Sequence, residues 1–539
     1  MEVKEMDLVK KPDFLSDYLV GHPNTLACFD YDLTDETRYK QRVSELQSRS
    51  FPREELIKHL HNTHNDLPNT EAVQNNIDKL QDTQSVVVVG GQQAGLLTGP
   101  LYTVYKAMSV VLLAKEQEEQ LGIPVVPVFW VAGEDHDLEE VRFVYTKKGK
   151  TWKKKGIDMI DSSTSLSKTL LPKATFDLWL DDVFKTLPET DHTESLVTSI
   201  KELATQSETF VDFFSRVMNW IFKDEGLILL DSDHPNLRKI EREYFKKMIE
   251  QVDRLQSAQQ QGEDFFKQLG YGEPIATDLN NAHLFYTLNG NRKRLDYSEG
   301  IFTIKGEGIR FSKKELLELV DVHPERFSNN VVTRPLMQEL LLPVLTFVAG
   351  PGELAYWATL KPVFKLFDLH IPPLSPRIHL TVVPRSLAKW FNEHECSYER
   401  FMRGEGSSMK GSWLNEAEDY PIHEVMAQVK QSIAVSHLDI QQLAQSMDPT
   451  IYTLAKKNET KIFDQLEFME KKMVNYLKEK HEVTLSKFDE ADAWLFPLSR
   501  PQERVVHPIL LLNIAGPDAF RRMMNLDMSL DARHKLVFL

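Results

Sequence analysis

Four short segments carry residue types that could do chemistry. Glu134-Asp135-His136-Asp137 packs three acids around one histidine, a set suited to general acid–base work and to holding a divalent ion. An acidic loop that caps the following helix is the competing reading. Four valines at 86–89 run into a turn with Gly90, Gly91, Gly95 and Gly99, and Pro100 opens a helix. Helix-opening N–H groups lack partners and carry partial positive charge, so such a turn can hold a phosphate or carboxylate. Its spacing gives neither the dinucleotide fingerprint nor a Walker loop, so a tight βα turn with nothing bound stays open. Gly350-Pro351-Gly352-Glu353 repeats the design, with Glu353 placed to bind an amine and Tyr356 and Trp357 to line a pocket. Core packing explains the two aromatics equally well. Ser375, Arg377 and Arg385 add a hydroxyl and two guanidinium groups, for carboxylate or phosphate contact or for ion pairs.

These segments need a scaffold, and the apolar runs before them supply one. A β-branched run bounded by glycine reads as a buried parallel strand, and further such runs occupy 123–132, 226–231 and 340–349. The polar residues at their carboxyl ends fall on the edge where open α/β sheets bind ligands. Shorter mixed segments separate the third and fourth runs from the first two, with alternation near 141–160 and 283–304 and helices near 195–222 and 236–269. The pattern predicts an α/β fold, a Rossmann-like parallel sheet interrupted by a large insertion. Residues before 85 read as helical, with amphipathic stretches at 35–62 and 70–82. After Pro421, Ile462, Leu466, Met469, Met473 and Tyr476 step by four and three, and Ile422, Val425, Val429, Ile433, Ile440 and Leu443 form a rougher stripe. Asp448-Pro449-Thr450 between them predicts an antiparallel helical hairpin, expected to dimerise. The apolar run at 505–515 reads as one more strand returning to the main body. Expected domains are 1–139, an N-terminal extension with the first half of the core; 140–330, the insertion; 331–415, the second half; 416–490, the coiled coil; and 491–539, the returning segment.

Composition sets bounds. The 539 residues exceed one core and predict roughly two to four domains. A net charge of −16 argues against a dedicated nucleic-acid surface, and the lysine-rich stretch 146–155 reads as a solvated hairpin or a local anion contact. Two cysteines, Cys28 and Cys396, fit a reducing cytoplasm and exclude a cysteine-rich zinc site. No apolar run reaches 18 residues, so no membrane partner is expected. There is no GxSxG elbow, HExxH, EF-hand loop or kinase signature. His22, His61, His64 and His234 stand isolated and read as structural.

VVVVGGQQAGLLTGPLYTVYK, PVFWVAGEDHDLEEV, FVAGPGELAYWA and LSPRIHLTVVPR, with the late coiled coil, closely resemble the family of bacillithiol biosynthesis cysteine-adding enzymes across essentially the whole chain. That resemblance implies a Rossmann core related to class I aminoacyl-tRNA synthetases, connecting-peptide insertions and a homodimer through the C-terminal coiled coil. It implies a ligase that joins the carboxyl group of cysteine to the amine of glucosaminyl-malate, giving bacillithiol. Thr98-Gly99-Pro100-Leu101 falls where those synthetases carry their HIGH tetrapeptide, and the loop after 371–383 where they carry KMSKS. Amide formation from a free carboxylate needs an activated acyl group, so ATP or ADP is the expected nucleotide; a metal is left open. The expected catalytic residues are His136, tuned by Asp135 to take a proton from the attacking amine, and Thr98. Expected substrate contacts are Gln92, Gln93, Gly95, Gly99, Glu353, Tyr356, Trp357 and Arg377, the last anchoring a malate carboxylate; Gly90, Gly91, Gly350 and Gly352 are expected at the nucleotide. The alternatives are a non-catalytic nucleotide- or metabolite-binding dimer and a structural adaptor.

Overall fold

The computed structural model describes residues 1–8, 13–68, 71–159, 163–417 and 420–539. The expected stretches 70–82 and 141–160 each reach one residue outside this set. Two compact units divide the chain, Met1–Pro384 with Gln502–Leu539, and Arg385–Pro501.

The first unit opens with strand β1 (Glu2–Met6) and a series of short helices, then runs through β2 (Val86–Gln92), helix α1 (Leu101–Leu121) and β3 (Val125–Val131). A hairpin follows, β4 (Phe143–Lys148) and β5 (Thr151–Gly156), then three helices and β6 (Ile228–Asp231). Beyond two longer helices come β7 (Asn281–Leu288), β8 (Asn291–Ser298), β9 (Ile301–Ile304), β10 (Arg310–Ser312) and β11 (Phe327–Asn329). The remainder is helix α2 (Thr333–Leu341), β12 (Val344–Ala349), helix α3 (Pro351–Trp357), β13 (Leu374–Pro376), β14 (His379–Val383) and, at the chain's end, β15 (His534–Phe538).

Five strands form a parallel sheet in the order β13-β12-β2-β3-β6. The chain leaves β2 towards β3 and β6, then returns through β12 and β13 on the other side, so the switch point lies between β2 and β12. Because β6 belongs to this sheet, the expected single insertion at 140–330 is two: the β4–β5 hairpin with its helices, and an antiparallel sheet β10-β9-β8-β7-β11. Buried Arg42 ties the N-terminal helices to the core by donating to Glu339 at 2.5 Å and to the Val344 carbonyl at 2.9 Å. His64 does the same for β6, accepting the Leu229 N–H at 3.0 Å.

The glycine turn after β2 is longer than expected. Leu97, Thr98 and Gly99 all take positive φ, at 49°, 68° and 72°, before α1 begins. The two non-glycine positions cost roughly 1–2 kcal/mol each. Gly90 and Gly91 answer to packing: a Cβ on Gly90 would stand 2.7 Å from Val110 of α1, and one on Gly91 would stand 2.5 Å from the Trp130 carbonyl. The apolar run near 508 is a helix, Pro508–Ala515, not a strand; Pro508 takes its first position and His507 caps it. An unbroken apolar run has no period to distinguish the two. The segment does return to the first unit, where β15 pairs with β14 and β1.

The second unit is helical. It begins at Arg385 rather than 416, because the aromatic cluster of Trp390, Phe391, Phe401 and Phe488 joins its flanking helices. Helix α4 (Ile422–Met447) and helix α5 (Pro449–Lys480) form the antiparallel hairpin, with Asp448 capping α5 by accepting the Thr450 N–H at 2.7 Å. Met426, His437 and Ala444 fill the seam from α4, while Val425, Val429, Ile440 and Leu443 of the expected stripe stay exposed.

Gly91→Ala is expected to lower stability by about 1–3 kcal/mol in chemical denaturation, since the opposing atom is backbone and cannot rotate away.

Candidate active site at the switch point

A cavity of about 770 Å³ opens at the carboxyl ends of the parallel strands, between β2 and β12 and under the antiparallel sheet. From the sequence-predicted set, Gly91, Gln92, Gln93, Asp135, His136, Gly350, Gly352, Glu353, Tyr356 and Arg377 line it. Gly90, Gly95, Thr98, Gly99 and Trp357 lie outside the lining. Gly90 packs on α1; Thr98 is fully buried in the left-handed turn, its hydroxyl without a partner among the described residues. Gly95 and Gly99 close that turn against each other, with 3.0 Å between a Gly95 Cβ and Gly99 Cα. Trp357 is core, packed on Phe347 and Phe364 at centroid distances of 4.7 and 5.8 Å. Ser375 is also core, bonded to Tyr39 at 2.8 Å and Thr346 at 3.0 Å, and Arg385 belongs to the helical unit.

At the first glycine turn one helix-opening donor is already taken. The N–H of Leu101, first in α1, donates to the Val506 carbonyl at 2.8 Å. At the second turn the Gly350 N–H donates to Glu353 at 2.8 Å.

The charged side chains of the cavity divide into engaged and open groups. Lys106 of α1, almost wholly buried, donates to the Gly91 carbonyl at 2.8 Å and to Gln92 Oε1 at 3.3 Å, and pairs with Glu353. Burial lowers the Lys106 pKa while Glu353 opposes the shift. Glu353, expected to meet a substrate amine, thus meets the chain's own. Arg377 forks onto Glu503 at 2.5 and 2.8 Å, so the arginine expected to anchor a malate carboxylate is neutralised from within. Glu134 accepts from Arg238 at 2.5 Å and from the Asn329 N–H at 3.0 Å. Asp135 accepts from Gln93 Nε2 at 2.6 Å and from the His136 N–H at 2.7 Å. The acids of 134–137 therefore diverge, and among the described residues no group of three metal-binding side chains converges anywhere. Near β6, burial beside Asp233 pushes the Asp231 carboxyl up to about 6.

Two cations remain open to a ligand, Arg334 from α2 and Arg504, while Arg292 from β8 is held by Ser328, the Asn329 carbonyl and His136. Among the described residues Arg334 and Arg504 have no carboxylate partner; Arg334 meets the Tyr356 hydroxyl, and Arg504 stands over the Tyr102 ring, 6.0 Å from its centroid. Arg292 comes no nearer to Asp135 than 3.9 Å. With Lys106–Glu353, Arg377–Glu503 and Glu134–Arg238 cancelling, the remainder is three guanidinium groups against Asp135, a net positive cavity suited to a carboxylate-bearing ligand. The sequence reading missed Lys106, Arg292, Arg334 and Arg504; Lys106 alone left a signal, the one charge in the apolar stretch 101–114 that opens its helix.

The parallel sheet and its switch-point cavity define a Rossmann-like protein with a small-molecule site. Residues 1–378 match the family model described as Bacillithiol biosynthesis BshC, N-terminal Rossmann-like domain, and residues 380–539 match the C-terminal coiled-coil domain of the same family. The chain belongs to the bacillithiol biosynthesis BshC family. It is 45% identical over 525 residues to a Shouchella clausii protein, covering 97% of each chain, and 44% identical over 541 residues to one from Halalkalibacterium halodurans, covering 100% of each. A Bacillus cytotoxicus protein is 39% identical over 538 residues, again over 100% of each chain. All three are named "Putative cysteine ligase BshC".

Although burial alone would raise it, Arg377 and His379 hold the Glu503 carboxyl well below the ordinary range. Its stabilising effect is complete above the unfolded value of about 4.3 and drains away as pH falls. Glu503→Gln is expected to cost about 3–5 kcal/mol at pH 7 in denaturant unfolding, with the gap from the parent protein narrowing below about pH 4.

Proposed function

We propose that this chain is the cysteine-adding ligase of bacillithiol biosynthesis, forming the amide between the carboxyl group of cysteine and the amine of glucosaminyl-malate. The observation that carries this reading is the charge pattern of the switch-point cavity: a net positive lining in which two open guanidinium groups, Arg334 and Arg504, share the space with the Asp135 carboxylate. Malate joined to the sugar through its hydroxyl offers two carboxylates to Arg334 and Arg504, and the glucosamine ammonium fits Asp135. Asp135 then takes the proton that the amine must lose before it attacks. The family membership and the relatives' shared ligase name support the same reading and disfavour a non-catalytic dimer.

A free carboxylate in water does not acylate an amine, so the reaction needs a nucleoside triphosphate such as ATP to activate the cysteine carboxyl. The second part of the proposal is a homodimer through the helical hairpin, supported by the exposed apolar stripe Val425, Val429, Ile440 and Leu443 on α4. The compartment is the cytoplasm, supported by two free cysteines. No described helix is long and apolar enough to cross a membrane.

Incubation of the protein with glucosaminyl-malate, cysteine and ATP, read by product mass, tests the reading; no mass gain of a cysteinyl group overturns it. In that assay Asp135→Asn is expected to lower kcat about 10²-fold or more with little change in KM. Arg334→Met is expected to raise KM for glucosaminyl-malate by about 10- to 100-fold with kcat nearly retained. Ile440→Lys with Leu443→Lys is expected to halve the sedimenting mass.

A further inference from the structure

We propose that Arg292 is a positioning residue that locks His136 in the tautomer carrying its hydrogen on Nε2. The two residues come from different bodies of the fold, Arg292 from strand β8 of the second insertion and His136 from the core loop after β3. The guanidinium is held before it reaches the histidine. Its Nε donates to Ser328 Oγ at 2.9 Å, its Nη2 donates to the Asn329 carbonyl at 2.5 Å, and its plane lies over the Phe285 ring, 3.8 Å from the centroid. The side chain is 8% exposed, so it has little freedom to swing elsewhere. The remaining nitrogen, Nη1, stands 3.1 Å from His136 Nδ1.

A guanidinium only donates, and it stays protonated in proteins. His136 Nδ1 must therefore accept, which leaves the hydrogen of the neutral ring on Nε2. The opposite tautomer would set N–H against N–H at 3.1 Å. Asp135 Oδ1 lies 3.8 Å from the same Nδ1, beyond hydrogen-bond range, so Arg292 and not Asp135 selects the tautomer.

The consequence reverses the role expected of this histidine. With its lone pair committed to Arg292, Nδ1 is not the proton acceptor, and the ring takes part as a neutral donor through Nε2. Neutral imidazole donors suit oxygens that gain negative charge during a reaction. That chemical role rests on the ligase reading, whereas the tautomer does not. Because the lock spans core and insertion, it forms only when the insertion sheet is docked over the parallel sheet.

Full-length protein labelled with 15N in its histidines tests the proposal by NMR, with His136 assigned from the signals lost in His136→Gln. The parent protein is expected to show an unprotonated Nδ1 and a protonated Nε2 at pH 7.5, in one tautomer. Arg292→Met is expected to give a tautomer mixture or the Nδ1–H form. A protonated Nδ1 in the parent, or an unchanged tautomer in folded Arg292→Met, overturns the proposal. Should Arg292→Met fail to fold, the parent spectrum and that of Arg292→Lys decide it. In the ligase assay Arg292→Met is expected to lower kcat about 10²-fold with a smaller change in KM. Absence of ligase activity in the parent overturns the ligase reading and leaves the spectral result standing.

Discussion

The site depends on one buried ammonium. Strands β2 and β12 lie side by side, but the chain leaves them in different directions, and the crevice between has no covalent reason to keep its width. Lys106 supplies one: from α1 it holds the Gly91 carbonyl and Gln92 at the end of β2 and Glu353 on the helix after β12. Neither charge is tolerable there alone, since a buried ion without its partner is strongly destabilising. Glu353 in turn takes the Gly350 N–H, so the same pair fixes the second glycine turn. Cavity width is thus set during folding.

The same logic sorts the remaining charges. Arg238 holds Glu134, Asp233 and Glu241 together in the interior, and Arg377 holds Glu503, which also meets His379. These pairs lose their water when the chain folds. Arg334 and Arg504 have no carboxylate partner among the described residues, so their charge is left for a ligand. Tyr102 lies between the two kinds, its ring 5.9 Å from Arg377 and 6.0 Å from Arg504. A neutralised arginine on one side and an open one on the other give the cavity a graded field.

Much of the scaffold was legible in the sequence because buried parallel strands are written as short unbroken runs. The valines at 86–89 and the run before Gly350 mark the two strands flanking the switch point, and the acidic segment at 134–137 falls at the edge the topology favours. What could not be read came from residues that meet only through tertiary structure. Arg292 sits in an alternating strand like any surface arginine, and only the sheet's placement brings it to His136. Arg377 and Glu503 are separated by 126 positions, so nothing near either one announces a buried pair. The turn at 95–99 misled in a different way. Its residues predict a short cradle, whereas the left-handed run Leu97-Thr98-Gly99 carries the chain away from the cavity.

The pairing of β1 with β15 sets Glu2 opposite Phe538. Strand β1 therefore finds its hydrogen-bond partner only after the more than 500 residues between the two strands have been made, about 30 to 100 seconds later at ordinary elongation rates. From its own synthesis until then β14 also lacks β15, and two strand edges stand open to wrong partners. The short length of β1 and its half-exposed Glu-Val-Lys-Glu-Met sequence limit that hazard, since a charged, five-residue edge templates poorly. Closure of this three-stranded sheet thereby waits on β15, and loss of residues 534–538 would leave β1 and β14 unpaired at once.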